Sequence, residues 1–196
     1  MSDRAPHIVV LGGPNGAGKS TAAPSLLHGR LRVSEFVNAD TIARGLAAFS
    51  PESAALDAGR IMLRRLRQLV VERRSFAFET TLASRTFAPM LVRWRAAGYV
   101  VHVVLLLLPT ADLAIARVRE RVLLRGHGVP VSTIETIARR HARGVRNFIE
   151  RCRPLADSWR VLDDSGARPR LVAEGMGASE SVRQPERWQR LLETAR

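Results

Sequence analysis

Eight consecutive residues, Gly13-Pro14-Asn15-Gly16-Ala17-Gly18-Lys19-Ser20, fit the pattern G-x-x-x-x-G-K-[ST] at every fixed position. In such a loop the glycines let backbone N–H groups turn inward around phosphate oxygens, and the following helix presents its positive end. The lysine reaches the β- and γ-phosphates of a nucleoside triphosphate, and the serine hydroxyl ligates Mg²⁺ beside them. The residues predicted to bind a nucleoside triphosphate with Mg²⁺ are Gly13, Asn15, Gly16, Ala17, Gly18, Lys19, Ser20 (also the Mg²⁺ ligand) and Thr21.

Lys19 is the only lysine among 31 basic residues, so the other 30 are arginine. A chain that otherwise uses guanidinium groups keeps a compact ammonium where a point charge matters, which argues against a chance glycine loop. Two classes of phosphate-loop protein are excluded. ABC subunits need an L-S-G-G-Q stretch, and GTPases need an N-K-x-D motif that a chain without a second lysine cannot supply. Small-molecule kinases remain.

Two polar segments follow predicted strands. Asp40 ends the segment Val37-Asn38-Ala39-Asp40, where its carboxylate would accept a proton from a substrate hydroxyl, or would instead cap a helix starting at Thr41. Spacing alone does not separate these two interpretations. Glu79 is followed by Thr80 and Thr81. It would hold substrate hydroxyls or a Mg²⁺-bound water with help from a threonine, unless the segment is an ordinary polar strand end.

Two rows of arginines recur at helical spacing on either side of a glycine-containing loop at 126–130. They are Arg117, Arg121 and Arg125, and then Arg139, Arg143 and Arg146. This arrangement predicts a lid that brings guanidinium groups onto a transferring phosphoryl group. For any single arginine, a solvated surface position is the simpler interpretation, so we expect one to three to be functional. His127 and His141 lack the spacing of metal ligands.

Alternating strands and helices must position these groups. Strands are predicted at 7–11, 36–38, 76–78, 100–108, 160–162 and 171–173, and helices at 19–27, from 51, at 86–97, at 110–125, from 132 and at 185–195. Apolar strands in this order predict a mostly parallel sheet covered on both faces, which binds ligands beyond the carboxyl ends of its strands. The expected fold is an α/β P-loop NTPase/kinase fold, a three-layer sandwich with a helical lid. We expect one domain over 1–196 with its core at 7–175.

The amino-acid composition limits the protein class, the cellular location and the partners that the sequence allows. The 196 residues are 46% apolar and 25% charged, and the single Cys152 permits no intrachain disulfide, which favours a cytoplasmic location. No apolar run is long enough to export the chain or to span a membrane. The net charge of +13 suits an anionic substrate. Nucleic acid is disfavoured as a partner because the arginines are scattered and aromatic residues make up only 5%.

With these motifs the sequence resembles the zeta-toxin-like kinases in their short bacterial form. The resemblance extends from about His7 to Gly175. Besides the phosphate loop through Thr21 and the two acidic segments, it rests on Arg121, the segment 126–130, Arg139-Arg140, Asn147-Phe148, Asp157-Ser158-Trp159 and the segment 171–175. The sequence departs from the family pattern at Arg125, where short members often have glycine, and at Asp164, where asparagine is frequent.

The resemblance implies an ATP-dependent kinase. Well-studied relatives phosphorylate a sugar hydroxyl of UDP-N-acetylglucosamine and are blocked by an antitoxin protein. It gives Lys19 and Ser20 the phosphate and Mg²⁺ roles and makes Asp40 the base. Glu79 and Thr81 correspond to the substrate-binding pair. The charge stabilisers are Arg121 and a second arginine, for which Arg125, Arg139 and Arg140 are candidates.

We take Arg125 as that second stabiliser and Arg140 as a substrate contact. Two alternatives stay open. One is a kinase for another metabolite, an antibiotic or a nucleic-acid end. The other is a nucleotide-dependent binding module with no phosphoryl acceptor.

Overall fold

A computed structural model describes residues 5–27, 33–123 and 131–195 of the chain. Within them, seven strands form one sheet: β1 (His7–Gly12), β2 (Glu35–Val37), β3 (Phe76–Thr80), β4 (Val100–Leu107), β5 (Ser158–Asp163), β6 (Arg170–Met176) and β7 (Ser179–Val182). Their spatial order is β2-β3-β1-β4-β5-β6-β7. The first five are parallel, whereas β6 and β7 run antiparallel to their neighbours. The prediction of a mostly parallel α/β sheet is therefore confirmed.

Seven helices connect and cover these strands: α1 (Lys19–Leu27), α2 (Ala39–Leu46), α3 (Ala55–Val71), α4 (Phe87–Ala96), α5 (Ala111–Leu123), α6 (Val131–Asn147) and α7 (Pro185–Ala195). Three short turns adjoin them. A 3-10 turn at Pro51–Ala54 precedes α3, and a π-helical turn at Phe148–Cys152 and a 3-10 turn at Arg153–Leu155 follow α6. None of the helices in the described part of the chain is long and apolar enough to cross a bilayer.

Side chains alternate between the two faces of the sheet, as the period of a strand requires. In β1, Ile8 and Val10 belong to one buried cluster, whereas Val9 and Leu11 belong to a second. The first cluster includes α3, α4 and α7, and the second includes α1 and α5. Helices therefore cover both faces of the sheet, and the P-loop NTPase/kinase fold predicted from the sequence is the observed one.

Periodicity predicted α3 well, because the four apolar residues at helical spacing in its sequence, Ala58, Met62, Leu66 and Leu69, are its buried residues. The second strand ends one residue earlier than predicted. Asn38 is the N-cap of α2, and its side-chain oxygen accepts hydrogen bonds from the backbone N–H groups of Asp40 and Thr41. The alternative that Asp40 caps this helix is therefore wrong, because Asp40 already lies in its first turn.

Parts of the predicted lid cannot be placed. Arg125 and the loop 126–130 lie outside the described residues, as does the side chain of Arg121, whose backbone is in α5. Strand β7 was not predicted. Its sequence, Ser179-Glu180-Ser181-Val182, is polar and largely exposed, so it lacks the apolar run by which the other strands were recognised.

Candidate active site

The predicted phosphate loop connects β1 to α1. Three of its glycines have positive φ angles, 144° at Gly13, 82° at Gly16 and 67° at Gly18, which residues with a side chain rarely adopt. Space excludes a side chain as well, because a Cβ on Gly13 would collide with the carbonyl oxygen of Leu106 in β4. The backbone can therefore fold closely around an anion, and α1 starts directly behind it, so that the positive end of its helix dipole lies at the loop.

Lys19 lies at the first position of α1 and is buried, with 6% of its surface exposed. Its Nζ donates a hydrogen bond to the carbonyl oxygen of Pro14 at 2.9 Å and lies 3.4 Å from Oε1 of Glu79. These contacts hold the ammonium inside the loop. The neighbouring carboxylate offsets part of the cost of burying this positive charge.

Glu79 comes from the end of β3, the strand next to β1. The register pairs Leu11 with Glu79, so the carboxylate is at the level where the phosphate loop begins. Its Oε2 accepts a hydrogen bond from Ser20 Oγ at 2.7 Å and another from Asn38 Nδ2 at 2.8 Å. A hydroxyl, a carboxylate and an ammonium therefore meet at the carboxyl edge of the sheet, as in a site for a metal–phosphate complex.

Asn38 links this cluster to α2. Its Nδ2 group also lies 3.2 Å from Ser20 Oγ. Its Oδ1 accepts from the N–H groups of Asp40 at 2.7 Å and Thr41 at 3.2 Å. One buried amide thus fixes the start of the helix that carries Asp40. The Asp40 side chain is exposed and has no hydrogen-bond partner among the described residues, which leaves its carboxylate available to a ligand.

Thr80 and Thr81 form a tight turn after β3. The hydroxyl of Thr80 accepts from the N–H of Leu82 at 3.0 Å, and that of Thr81 accepts from the N–H of Ala83 at 3.4 Å. Each hydroxyl keeps its proton for donation to another group. Thr81 lies two residues beyond Glu79 at the same edge of the sheet, and its role in substrate binding stays a prediction.

Helix α6 crosses this edge of the sheet. His141 is buried, and its Nε2 lies 2.9 Å from the carbonyl oxygen of Leu108, just beyond β4, so the ring has a structural partner. Gly144 lies against the carbonyl oxygen of Thr81 so closely that a Cβ would collide with it. Arg140 is exposed one helical turn before Gly144. It forms no ion pair within the described residues.

Arg117, the first arginine of the α5 row, faces the phosphate loop. Its Nη1 lies 3.4 Å from the carbonyl oxygen of Gly16 and 3.4 Å from Oδ2 of Asp164, and its Nη2 lies 3.3 Å from the carbonyl oxygen of Ser165. Burial raises the pKa of Asp164, and the Arg117 charge partly offsets this effect. Arg117 therefore connects the phosphate loop to the segment that follows β5.

The structure brings Glu79 together with Lys19 and Ser20, which lie about 60 residues earlier in the sequence. Sequence reasoning gave no role to Asn38, and it included Arg117 only as one member of the arginine row of the predicted lid. Their positions contained a signal, because Asn38 lies in the same polar segment as Asp40 and Arg117 lies in the arginine row. Among the described residues, no three His, Cys, Asp or Glu side chains cluster as metal ligands. A metal ion would need oxygen atoms from the nucleotide as well.

Comparison with protein families gives one match. A family model described as an AAA domain matches residues 8–143. A search of curated proteins finds no match.

Solved structures with a similar chain include the AvrRxo1-ORF1:AvrRxo1-ORF2 complex with sulphate ions, with a TM-score of 0.74 and 15% identity. The match covers 96% of this chain and 64% of that chain, so this chain spans only part of that protein's length. A structure of the PezAT chromosomal toxin–antitoxin system of Streptococcus pneumoniae has a TM-score of 0.65 and 16% identity, covering 99% and 89% of the two chains. A gluconokinase from Sinorhizobium meliloti 1021 has a TM-score of 0.52 and 15% identity, covering 98% and 93%. At these identities the likeness shows the fold.

Proposed function

We propose that this chain, which belongs to the AAA domain family, is a kinase that transfers the γ-phosphoryl group of ATP to a hydroxyl group of a small molecule. The observation that carries the proposal is the meeting of Lys19, Ser20 and Glu79 at the carboxyl ends of β1 and β3. A loop that only bound an anion would not need a buried carboxylate beside its lysine. A site for a cation–phosphate complex does.

A bound nucleotide with its Mg²⁺ ion would explain why Lys19, Ser20 and Glu79 lie together. Mg²⁺ is usually held by one or two protein groups together with phosphate oxygens and waters. Ser20 Oγ would bind the ion directly, and Glu79 would hold one of its waters. The ion neutralises charge on the β- and γ-phosphates, and Lys19 binds the same phosphates. Holding a Mg²⁺-bound water is one of the two roles that the sequence left open for Glu79, and it would come in addition to the substrate contact that the family resemblance implies.

The acceptor would enter from the α2 and α6 sides. Asp40 would accept the proton of the attacking hydroxyl, since its carboxylate is exposed at the start of α2 and is oriented by the Asn38 cap. Thr81 and Arg140 would bind the acceptor at the edge of the sheet, together with Glu79. Arg121 and Arg125 would place positive charge on the transferring oxygens, where charge accumulates in the transition state.

We further propose that the acceptor is a UDP-activated sugar such as UDP-N-acetylglucosamine and that a protein antitoxin controls the enzyme. The resemblance of the motifs to zeta-toxin-like kinases supports both points. The fold likeness to a chain of a toxin–antitoxin system is in agreement. The strong positive charge also suits a diphosphate-linked substrate.

A phosphoryl-transfer assay tests the proposal. Purified protein is incubated with labelled ATP, Mg²⁺ and, in separate reactions, UDP-N-acetylglucosamine, gluconate or an RNA oligonucleotide with a free 5′-hydroxyl. We expect label on the UDP-sugar, and no label with the Lys19→Met variant. Label on gluconate or RNA would replace the proposed acceptor and keep the kinase. Tight ATP binding without transfer to any acceptor would identify a binding module instead.

A further inference from the structure

The turn that follows β3 contains a backbone conformation that its residue type disfavours. Leu82 has a φ angle of +58°, in the left-handed region, which a branched side chain rarely occupies. It is also buried, with 1% of its surface exposed. Such a residue keeps its conformation only where the surrounding contacts determine it, and residues of this kind cluster at functional sites.

The side chain of Leu82 packs under the phosphate loop. A Cβ on Gly12, the last residue of β1, would collide with Leu82 Cδ1, so the leucine occupies the space that the glycine leaves. The N–H of Leu82 is held by the hydroxyl of Thr80. Leu82 therefore contacts both the base of the nucleotide loop and the turn that carries Thr81.

The carbonyl group of Leu82 is held by α6. Asn147, the last residue of that helix, is 7% exposed and donates from Nδ2 to this oxygen at 2.7 Å. One turn earlier, Gly144 contacts the carbonyl oxygen of Thr81. The two contacts attach the end of α6 to the backbone of the turn.

We propose that Asn147 is a positioning residue for the acceptor. Through Leu82 it holds the turn in its left-handed conformation and so fixes Thr81 relative to the phosphate loop, whereas Glu79 keeps its own contacts with Lys19, Ser20 and Asn38. The same hydrogen bond makes the turn move together with α6, the helix that carries Arg140. This inference rests on the proposed kinase function, because it assigns to Asn147 the orientation of that function's acceptor site.

The test compares Asn147→Leu with Tyr99→Phe. Leucine keeps the branched outline and the number of side-chain heavy atoms of asparagine but removes the donor to Leu82. Tyr99 is the matched control because it is also buried and its hydroxyl also lies within hydrogen-bond distance of backbone carbonyl oxygens, those of Leu69, Val70 and Arg74. These residues lie at the end of α3 and before β3, at the opposite edge of the sheet from Glu79.

With UDP-N-acetylglucosamine as acceptor, Asn147→Leu should lower kcat/KM for the acceptor about tenfold or more, as small misplacements of reacting groups do. The Kd for MgATP and the slow hydrolysis of ATP without acceptor should hardly change, since the phosphate loop keeps its own contacts. Tyr99→Phe should lower the melting temperature similarly and leave all three quantities unchanged. Equal losses of acceptor-dependent activity in the two variants would overturn the proposal, because a general loss of stability would then explain them.

Asn147→Asp supplies a second readout. At low pH the introduced carboxyl is protonated and can donate to the Leu82 oxygen as the amide does. At high pH it is ionised and repels that oxygen. The acceptor kcat/KM of this variant, divided by that of the wild type, should therefore fall as the pH rises. A ratio that does not depend on pH would overturn the role of the donor.

Hydrogen exchange separates this inference from the proposed function. In Asn147→Leu, exchange should accelerate in a peptide covering residues 80–84 and stay unchanged in one covering residues 12–20. If the wild-type protein transfers no phosphate to any acceptor, the proposed function fails, and this local change still decides whether Asn147 holds the turn. Unchanged exchange in the peptide 80–84 would overturn the positioning role whatever the acceptor.

Discussion

The ammonium group of Lys19 lies 3.4 Å from a carboxylate oxygen of Glu79, and the two side chains are 6% and 10% exposed. Seen from the nucleotide, this pair has two opposite effects. Lysine attracts the β- and γ-phosphates, whereas the carboxylate repels them unless a cation lies between. The Lys19–Glu79 pair therefore predicts that ATP binding and catalysis respond differently to Mg²⁺.

Glu79→Gln keeps the shape of the side chain and removes its charge. Without Mg²⁺ we expect ATP to bind the variant more tightly than the wild type, because the repulsion is gone. With saturating Mg²⁺ we expect turnover to fall on the order of a hundredfold, as for loss of one preorganised group in a phosphoryl-transfer site. Calorimetric titrations with and without Mg²⁺ and steady-state kinetics measure both effects.

Glu174→Gln is the control for Glu79→Gln, because Glu174 is an acid of β6 that pairs with Arg160 of β5. Wild-type turnover of Glu79→Gln would mean that the carboxylate contacts neither metal nor acceptor.

Lys19→Met should abolish transfer and also destabilise the protein, because Lys19 is buried beside a buried acid. Removing one partner of such a pair costs about 3–5 kcal/mol, since the other charge is left uncompensated. The double variant Lys19→Met/Glu79→Gln should recover much of this loss in urea unfolding and remain inactive. Additive losses of stability in the double variant would show that the two charges do not interact.

Asp40→Asn should lower kcat on the order of a hundredfold, because an amide cannot accept the hydroxyl proton. Stability should change little, since Asn38 and not Asp40 caps α2, and losing a charge in the first turn costs about 0.3–1 kcal/mol. Asn38→Ala should lose more stability than Asp40→Asn, because it removes the cap of α2. Steady-state kinetics and thermal melting of both variants measure the loss of turnover and the loss of stability separately. Normal turnover in Asp40→Asn would place the base elsewhere.

Arg121→Ala should reduce kcat on the order of a hundredfold or more while ATP affinity falls much less, as expected for a guanidinium group that acts in the transition state. Arg119→Ala is the control on the same helix, because the Arg119 side chain is exposed and forms no ion pair among the described residues. Steady-state rates at saturating MgATP are compared. Small and equal effects would show that Arg121 has no part in phosphoryl transfer.

His102 predicts a loss of stability in mild acid. Burial and the nearby charges of His7 and Arg160 lower its pKa from 6.5 to about 4, although Asp157 acts in the opposite direction. The unfolded chain therefore binds more protons between these two values, and the free energy of unfolding should fall as the pH drops through that interval. Urea unfolding at a series of pH values measures this. His102→Gln should flatten the dependence, and an unchanged slope would assign it to another group.

The features that sequence could predict are local ones. The phosphate loop, β1 and α1 follow from a motif and an apolar run within 21 residues, and the buried face of α3 follows from helical periodicity. Asn38 was assigned to a strand because its capping role depends on hydrogen bonds to N–H groups that only the folded helix presents. The contact of Glu79 with Ser20 depends on the register between β1 and β3, which no local pattern contains. Arg117 is similar, since its position in a row does not reveal its contact with Asp164, 47 residues away.

The strand order has a consequence for the folding of the chain during its synthesis on the ribosome. Strand β1 pairs only with β3 and β4, through partners such as Ile8 with Phe76 and Val10 with Val103. Strand β1 therefore cannot complete its pairing on both sides before the ribosome has synthesised the chain as far as Leu107, the last residue of β4. At typical rates of translation this takes roughly 5–20 s, during which the unpaired strand is a target for chaperones or for aggregation. ATP can stabilise the nascent chain only after that interval, so mutations that weaken β3 or β4 should reduce the yield of protein before they reduce its activity.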